Sequence, residues 1–208
     1  PQDKLLLSGN PVRQDLVAKE DSKQEALEFF GISKKMSTVL VIGGSLGART
    51  INIAMSNYLA SLPKDQNVQF IWQTGTAYFD LASKQFDGND KIKIMSFISR
   101  MDLAYTVADL VISRAGASTI SELCLIGKPV ILIPSPNVAE DHQTKNAMAL
   151  SEKDAACVIK DKDADEHLGN IINELIADDY KRNVLSKNIL KLAMPNSAEL
   201  IADEILKL

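Results

Sequence analysis

The run Thr38-Val39-Leu40-Val41-Ile42 is β-branched, apolar on both faces from Val39 onward, and passes directly into Gly43-Gly44-Ser45-Leu46-Gly47-Ala48. A strand with one wet face alternates apolar and polar residues. One that is apolar throughout is covered on both sides, which is the position of a central parallel strand. The event recurs along the chain. Leu110-Val111-Ile112 leads into Ser113-Arg114-Ala115-Gly116-Ala117-Ser118, and Val130-Ile131-Leu132-Ile133 into Pro134-Ser135-Pro136-Asn137. Helical stretches follow these turns at about 48–62, 119–126 and 141–151. Further strands are expected near 68–72, 92–98 and 156–159, and further helices near 78–86, 103–107, 164–176, 180–192 and 198–206. Strand and helix alternate without hairpin signals. The expected fold is therefore α/β: a doubly wound, mainly parallel sheet with helices on both faces, Rossmann-like, over 37–208. Residues 1–36 read as a lead-in segment that packs on the sheet or links to a neighbour. Within it Leu5-Leu6-Leu7 reads as a short strand, Ser8-Gly9-Asn10-Pro11 as a turn and 22–30 as a helix stopping at Gly31.

Composition removes several function classes. The 208 residues carry a net charge of −4 with no long basic run, which gives nucleic-acid binding no electrostatic support. No stretch reaches the roughly 18 apolar residues of a membrane span, and none reads as a signal peptide. The chain opens Pro1-Gln2-Asp3 without an initiator Met, which fits either trimming or a piece of something longer. Cys124 and Cys157 are far apart and outside any CxxC pair, so they read as buried thiols. His142 and His167, with no paired cysteines, make a zinc site poorly supported. Asp161 and Asp163 have Asp-x-Asp spacing, but they stand in a late polar turn beside Lys160 and Lys162. No metal site is assigned to them.

The glycine-bearing turns carry the chemistry. Gly43-Gly44-Ser45-Leu46-Gly47 ends a strand and opens a helix, so backbone N–H groups there can meet an anion, a phosphate or diphosphate. The bland alternative is a tight turn needed for packing. The spacing is not the dinucleotide GxGxxG, and the next strand ends Trp72-Gln73-Thr74 without the acidic ribose ligand. No Gly-Lys-Ser/Thr makes it a P-loop. In the second turn Thr119 and Glu122 have capping-box spacing. Alternatively Glu122, an acceptor-only carboxylate, takes the two hydroxyls of a ribose. Arg114 can neutralise phosphate or pair with an acid. Beyond the third turn His142 and Gln143 suit sugar hydroxyls. His142 is a weak candidate general base, with no nucleophile placed for a triad.

Taken in order, Gly9-Asn10-Pro11-Val12-Arg13, Gly43-Gly44-Ser45-Leu46-Gly47-Ala48, Ser96-Phe97-Ile98 with Met101, 113–122, and Glu140-Asp141-His142-Gln143 with Asn146-Ala147 resemble the MurG family. These are the N-acetylglucosaminyltransferases that complete lipid II in bacterial peptidoglycan synthesis, and through it support cell shape and division. The resemblance covers only the C-terminal, donor-binding domain of a two-domain, GT-B type enzyme. It implies UDP-N-acetylglucosamine as donor, with Arg13 and Ser45 on the diphosphate side and Gly44 and Gly47 of the glycine turn among the donor-binding residues. Phe97, Ile98 and Met101 would form the uracil pocket, and Ala117, Ser118 and Thr119 would face phosphate. It puts Glu122 on the ribose and Gln143, with His142, on the sugar. Leu46 and His142 stand where some relatives carry Gln, which removes an amide at the first position and alters the contact at the second. The reaction implied is an inverting, metal-independent single displacement by the C4 hydroxyl of the N-acetylmuramoyl unit of lipid I, needing no cofactor. The acceptor site and the catalytic base would belong to an absent N-terminal domain, so the 208 residues alone are expected to be inactive and soluble. The parent would work peripherally at the cytoplasmic face of the plasma membrane. The rivals are another UDP-sugar glycosyltransferase or a nucleotide-sugar epimerase and, from a different class, a non-catalytic α/β interaction module.

Overall fold

A computed structural model describes residues 5–16, 22–44, 47–63 and 65–207. Six strands form one sheet: β1 (Ser37–Ile42), β2 (Val68–Gln73), β3 (Ile92–Met95), β4 (Leu110–Ser113), β5 (Val130–Leu132) and β6 (Cys157–Val158), in the order β3-β2-β1-β4-β5-β6. Every pairing is parallel, so the sheet is wholly rather than mainly parallel. Nine α-helices accompany these strands among the described residues: α1 (Ser22–Phe30), α2 (Arg49–Ser61), α3 (Thr76–Gln85), α4 (Met101–Val107), α5 (Ala117–Ile126), α6 (His142–Ser151), α7 (Ala164–Ala177), α8 (Asp179–Leu190) and α9 (Ser197–Ile205).

The apolar run of β1 divides by its period of two. Leu40 and Ile42, with Ile71, Val111 and Leu132, face a core closed by α1, α4, α5 and α6. Val39 and Val41, with Phe70, Trp72, Ile112 and Ile131, face a second core closed by α2 and α7. Burial on both faces is why the central strands show no alternation in sequence. The lead-in enters the first of these cores through Leu16, Ala26, Leu27 and Phe30. Leu5-Leu6-Leu7, expected as a strand, is not one. Among the described residues it has no sheet partner, and its side chains are exposed, so the run buries nothing that would hold it in a sheet. No helix among the described residues is long and apolar enough to cross a membrane.

Polar locks fix how β2 meets the first turn. Asn52 on α2 is buried; its Nδ2 donates to the Thr74 carbonyl at 2.8 Å, and its Oδ1 accepts from the Trp72 indole at 3.0 Å. The same Thr74 carbonyl lies so close to Gly47 that a Cβ there would meet it at 2.1 Å, and Gly47 sits at φ +77°. Gly44 has φ +81° but faces open space. The two glycines therefore serve different ends: Gly47 is required by packing, and Gly44 only by its backbone conformation. Gly47→Ala should cost about 3 kcal/mol or more in denaturant unfolding, and Gly44→Ala about 1–2 kcal/mol. Equal losses at the two positions would contradict this division.

Candidate active site

In this strand order the crevice opens where the order reverses, at the carboxyl ends of β1 and β4. Two helices start there. The chain leaves β1 at Ile42, and Gly47 N–H closes a turn onto the Gly44 carbonyl at 3.0 Å. It then enters α2 after Ala48, whose side chain cannot cap. It leaves β4 at Ser113 and enters α5 after Gly116, again without a side-chain cap. Among the described residues neither start has a side-chain cap, and each brings N–H groups with no partner in the helix and a positive dipole end. The capping-box alternative for Thr119 and Glu122 fails. The helix begins at Ala117, so Thr119 already lies inside its first turn, and Glu122 is left free for another role. Ser45 and Leu46 lie outside the described residues.

A cleft of about 790 Å³ lies beside the first turn, within the range of small-molecule sites. Of the expected residues it gathers Gly44, Gly47, Arg114 and Gln143, and it adds Arg49 and Asp161. Arg114 lines this cleft, donates to the Ile133 carbonyl at 2.9 Å and pairs with Asp161, so the acid considered as its partner is present. Gln143 is largely committed to structure. Its Oε1 accepts from Ser135 N–H at 2.9 Å and Ala115 N–H at 3.3 Å, stapling the second turn to the third, while Asn146 donates to the Ala115 carbonyl at 3.1 Å. Only the Gln143 amide NH2 then remains for a ligand. His142 is exposed, and its Nδ1 lies 2.9 Å from the Ala139 carbonyl. A carbonyl only accepts, so that nitrogen carries the proton and Nε2 is the open position. The backbone before it is strained, with Glu140 at φ 52° and Asp141 at φ 51°.

The remaining expected residues form a second group outside that cleft lining. Glu122 is half-buried, and the Tyr105 hydroxyl donates to its Oε2 at 3.4 Å. Burial pushes the Glu122 carboxyl up; the Arg13 guanidinium and the Tyr105 hydroxyl pull it partly back, and Asp15 adds to the rise. Arg13 is exposed and 3.7 Å from Asp15. Its segment is tied down by Asn10, which donates to Ser121 Oγ at 3.0 Å and to the Ala117 carbonyl at 3.4 Å. Ala117 and Ser118 are exposed at the helix start, and Thr119 is half-buried. Met101, the first residue of α4, packs against the core, Phe97 is exposed and Ile98 is buried.

One residue joins the groups. Gln73 is buried at the end of β2; its Nε2 donates to the Gly44 carbonyl at 3.0 Å and its Oε1 accepts from Ile98 N–H at 2.9 Å. The Ile98 N–H is therefore taken, and its carbonyl is the group left for a ligand. Sequence reasoning missed Gln73, although a glutamine ending a strand that is buried throughout was a usable signal. Tyr105 stands four residues after Met101, one helical turn along α4, and was equally legible in spacing. Among the described residues no three His, Cys, Asp or Glu side chains come together as a metal site.

Residues 38–201 match the model of the glycosyltransferase family 28 C-terminal domain. The chain belongs to this family. It is 54% identical over 210 residues to the UDP-N-acetylglucosamine--N-acetylmuramyl-(pentapeptide) pyrophosphoryl-undecaprenol N-acetylglucosamine transferase of Parabacteroides distasonis, with 100% of this chain and 57% of that protein covered. It is 50% identical over 208 residues to the enzyme of the same name from Flavobacterium psychrophilum, covering 100% of this chain and 56% of that one. The crystal structure of Acinetobacter baumannii MurG superposes with a TM-score of 0.78 at 25% identity, over 99% of this chain and 58% of that one. The family 28 chain thus spans a little over half the length of the curated relatives it matches.

The raised Glu122 carboxyl has a signed consequence for stability. The unfolded chain ionises Glu122 at a lower pH than the folded one. The stability linked to its protonated form is complete below the ordinary Glu range, about pH 4, and is lost as pH rises through the folded value. Glu122→Gln should therefore raise the melting temperature at pH 7, and that advantage should disappear below about pH 4. A lower melting temperature for the variant at pH 7 would show that Glu122 is held by its partners rather than penalised by burial.

Proposed function

We propose that this chain is the donor-binding half of a transferase that moves N-acetylglucosamine from UDP-N-acetylglucosamine to the C4 hydroxyl of the N-acetylmuramoyl unit of lipid I, giving lipid II. The observation that carries the proposal is the pair of uncapped helix starts, α2 and α5, opening on one crevice with a half-buried acceptor-only carboxylate, Glu122, one turn into α5. A diphosphate meets the two positive helix ends, Arg13 and Arg114. Glu122 takes the ribose hydroxyls, with Tyr105 fixing one of its oxygens. The Ile98 carbonyl accepts from the uracil edge, with Phe97 and Met101 beside it. The Gln143 amide and His142 face the sugar.

Chemically, the difficult part of the transfer is the negative charge that builds on the leaving diphosphate as the anomeric C–O bond breaks. Dipoles fixed in place before the reaction stabilise that charge without reorganising. The acceptor hydroxyl must lose its proton to a base, and that base is assigned to a second domain together with the lipid I site. The exposed Leu5-Leu6-Leu7 and the lead-in around it are assigned to the junction with that domain. The working place of the whole enzyme is the cytoplasmic face of the plasma membrane, held peripherally.

Calorimetry with UDP-N-acetylglucosamine, UDP-glucose, GDP-mannose and TDP-glucose tests the donor reading. The UDP sugars should bind at least about tenfold more tightly than the others, the worth of one or two selective hydrogen bonds, to the base against GDP-mannose and to the ribose 2′-hydroxyl against TDP-glucose. Equal affinities would remove the roles given to Ile98 and Glu122. The 208-residue chain alone should show no turnover with lipid I. Turnover would place the base within it, with His142 the first residue to replace.

A further inference from the structure

The charge balance of the cleft points to a residue that none of the site roles above uses. Asp161 opens the 3-10 turn Asp161–Asp163 ahead of α7, far in sequence from both glycine turns. Both of its carboxylate oxygens are committed. Oδ1 pairs with Arg114, and Oδ2 accepts from the Thr50 hydroxyl at 2.8 Å. Thr50 is the second residue of α2, the helix whose start has no side-chain cap, so the carboxylate stands beside a positive dipole end. The Arg114 and Asp161 side chains are only 17% and 19% exposed, so solvent screens this pair less than a surface one. Arg114 and Thr50 line the same cleft as Gly44 and Gly47.

We propose that Asp161 is a built-in counter-anion of the phosphate cleft, competing with a bound diphosphate for Arg114 and for the start of α2. The proposal rests on the reading that a nucleoside diphosphate occupies this cleft. Asp161 holds the Arg114 guanidinium along the wall beside Ile133 and neutralises it. When the diphosphate arrives, Arg114 exchanges part of its attachment, and the Asp161 carboxylate is left near a like charge. Asp161 therefore weakens the hold on the diphosphate, and it does so for the leaving product as much as for the donor. A group that only braced the fold would show the opposite sign on removal, because loosening Arg114 would cost affinity.

Isothermal calorimetry of the 208-residue chain with UDP and with uridine, for the parent and Asp161→Asn, tests this. UDP should bind the variant about threefold to tenfold more tightly, uridine should bind both alike, and the gain should vanish in Asp161→Asn combined with Arg114→Met. UDP affinity unchanged or reduced in a folded Asp161→Asn variant overturns the proposal while leaving the donor reading intact. A parent chain that binds no UDP overturns both. The unmutated chain supplies a second measurement that needs no variant to fold. The NMR signal of the Arg114 Nε–H should move on addition of UDP and stay in place with uridine, and a signal that UDP leaves unmoved contradicts the exchange of partners.

Discussion

In a sheet whose strands all run one way, every strand-to-helix turn falls on the same edge, and the rest of the structure follows from that constraint. The edge collects helix starts, and each helix start brings N–H groups with no partner in the helix. Two of these, at α2 and α5, flank the point where the strand order reverses, so their positive ends converge on one crevice. The first turn packs tightly on the end of β2, because Gly47 lies directly against the Thr74 carbonyl that Asn52 also holds. Under the proposed function the fold supplies an anion site from its backbone, and side chains refine it.

The refinement is divided. The cleft beside the first turn has mixed charge, with Arg49 and Arg114 opposed by Asp161. Around Glu122 the contacts are hydrogen bonds from Tyr105 and the Asn10 tether to Ser121, with the Ile98 backbone held by Gln73. Gln73 links the halves through one amide, donating to the Gly44 carbonyl of the first glycine turn and accepting from the Ile98 N–H. A carboxylate cannot do both, since it has no N–H to offer the Gly44 carbonyl.

Local pattern carried most of the fold. β1, β4 and β5 were legible because residues apolar on both faces have few other uses, and α1 ended at Gly31 as read, at Phe30. Leu5-Leu6-Leu7 misled because apolar character alone does not supply a sheet edge. The capping-box spacing at Thr119 and Glu122 misled because it depends on where the helix begins, and Gly116 moves that start back by two residues from the expected Thr119. Within the site, the turns and Glu122 were readable as residue types suited to phosphate and ribose. The pairing of Arg114 with Asp161 was not, because it joins residues 47 apart in sequence and exists only once β4 and the turn before α7 are neighbours. The Gln143 staple was hidden for the same reason.

The central claim is that the starts of α2 and α5 jointly hold a diphosphate. Amide chemical shifts of the 15N-labelled chain, followed while UDP and then uridine are added, test it most directly. The account predicts that UDP moves the amides of Gly44, Gly47, Ala117, Ser118 and Thr119 together, while uridine moves mainly the region around Ile98 and Glu122. UDP shifts that leave the first turn of α5 untouched would contradict it.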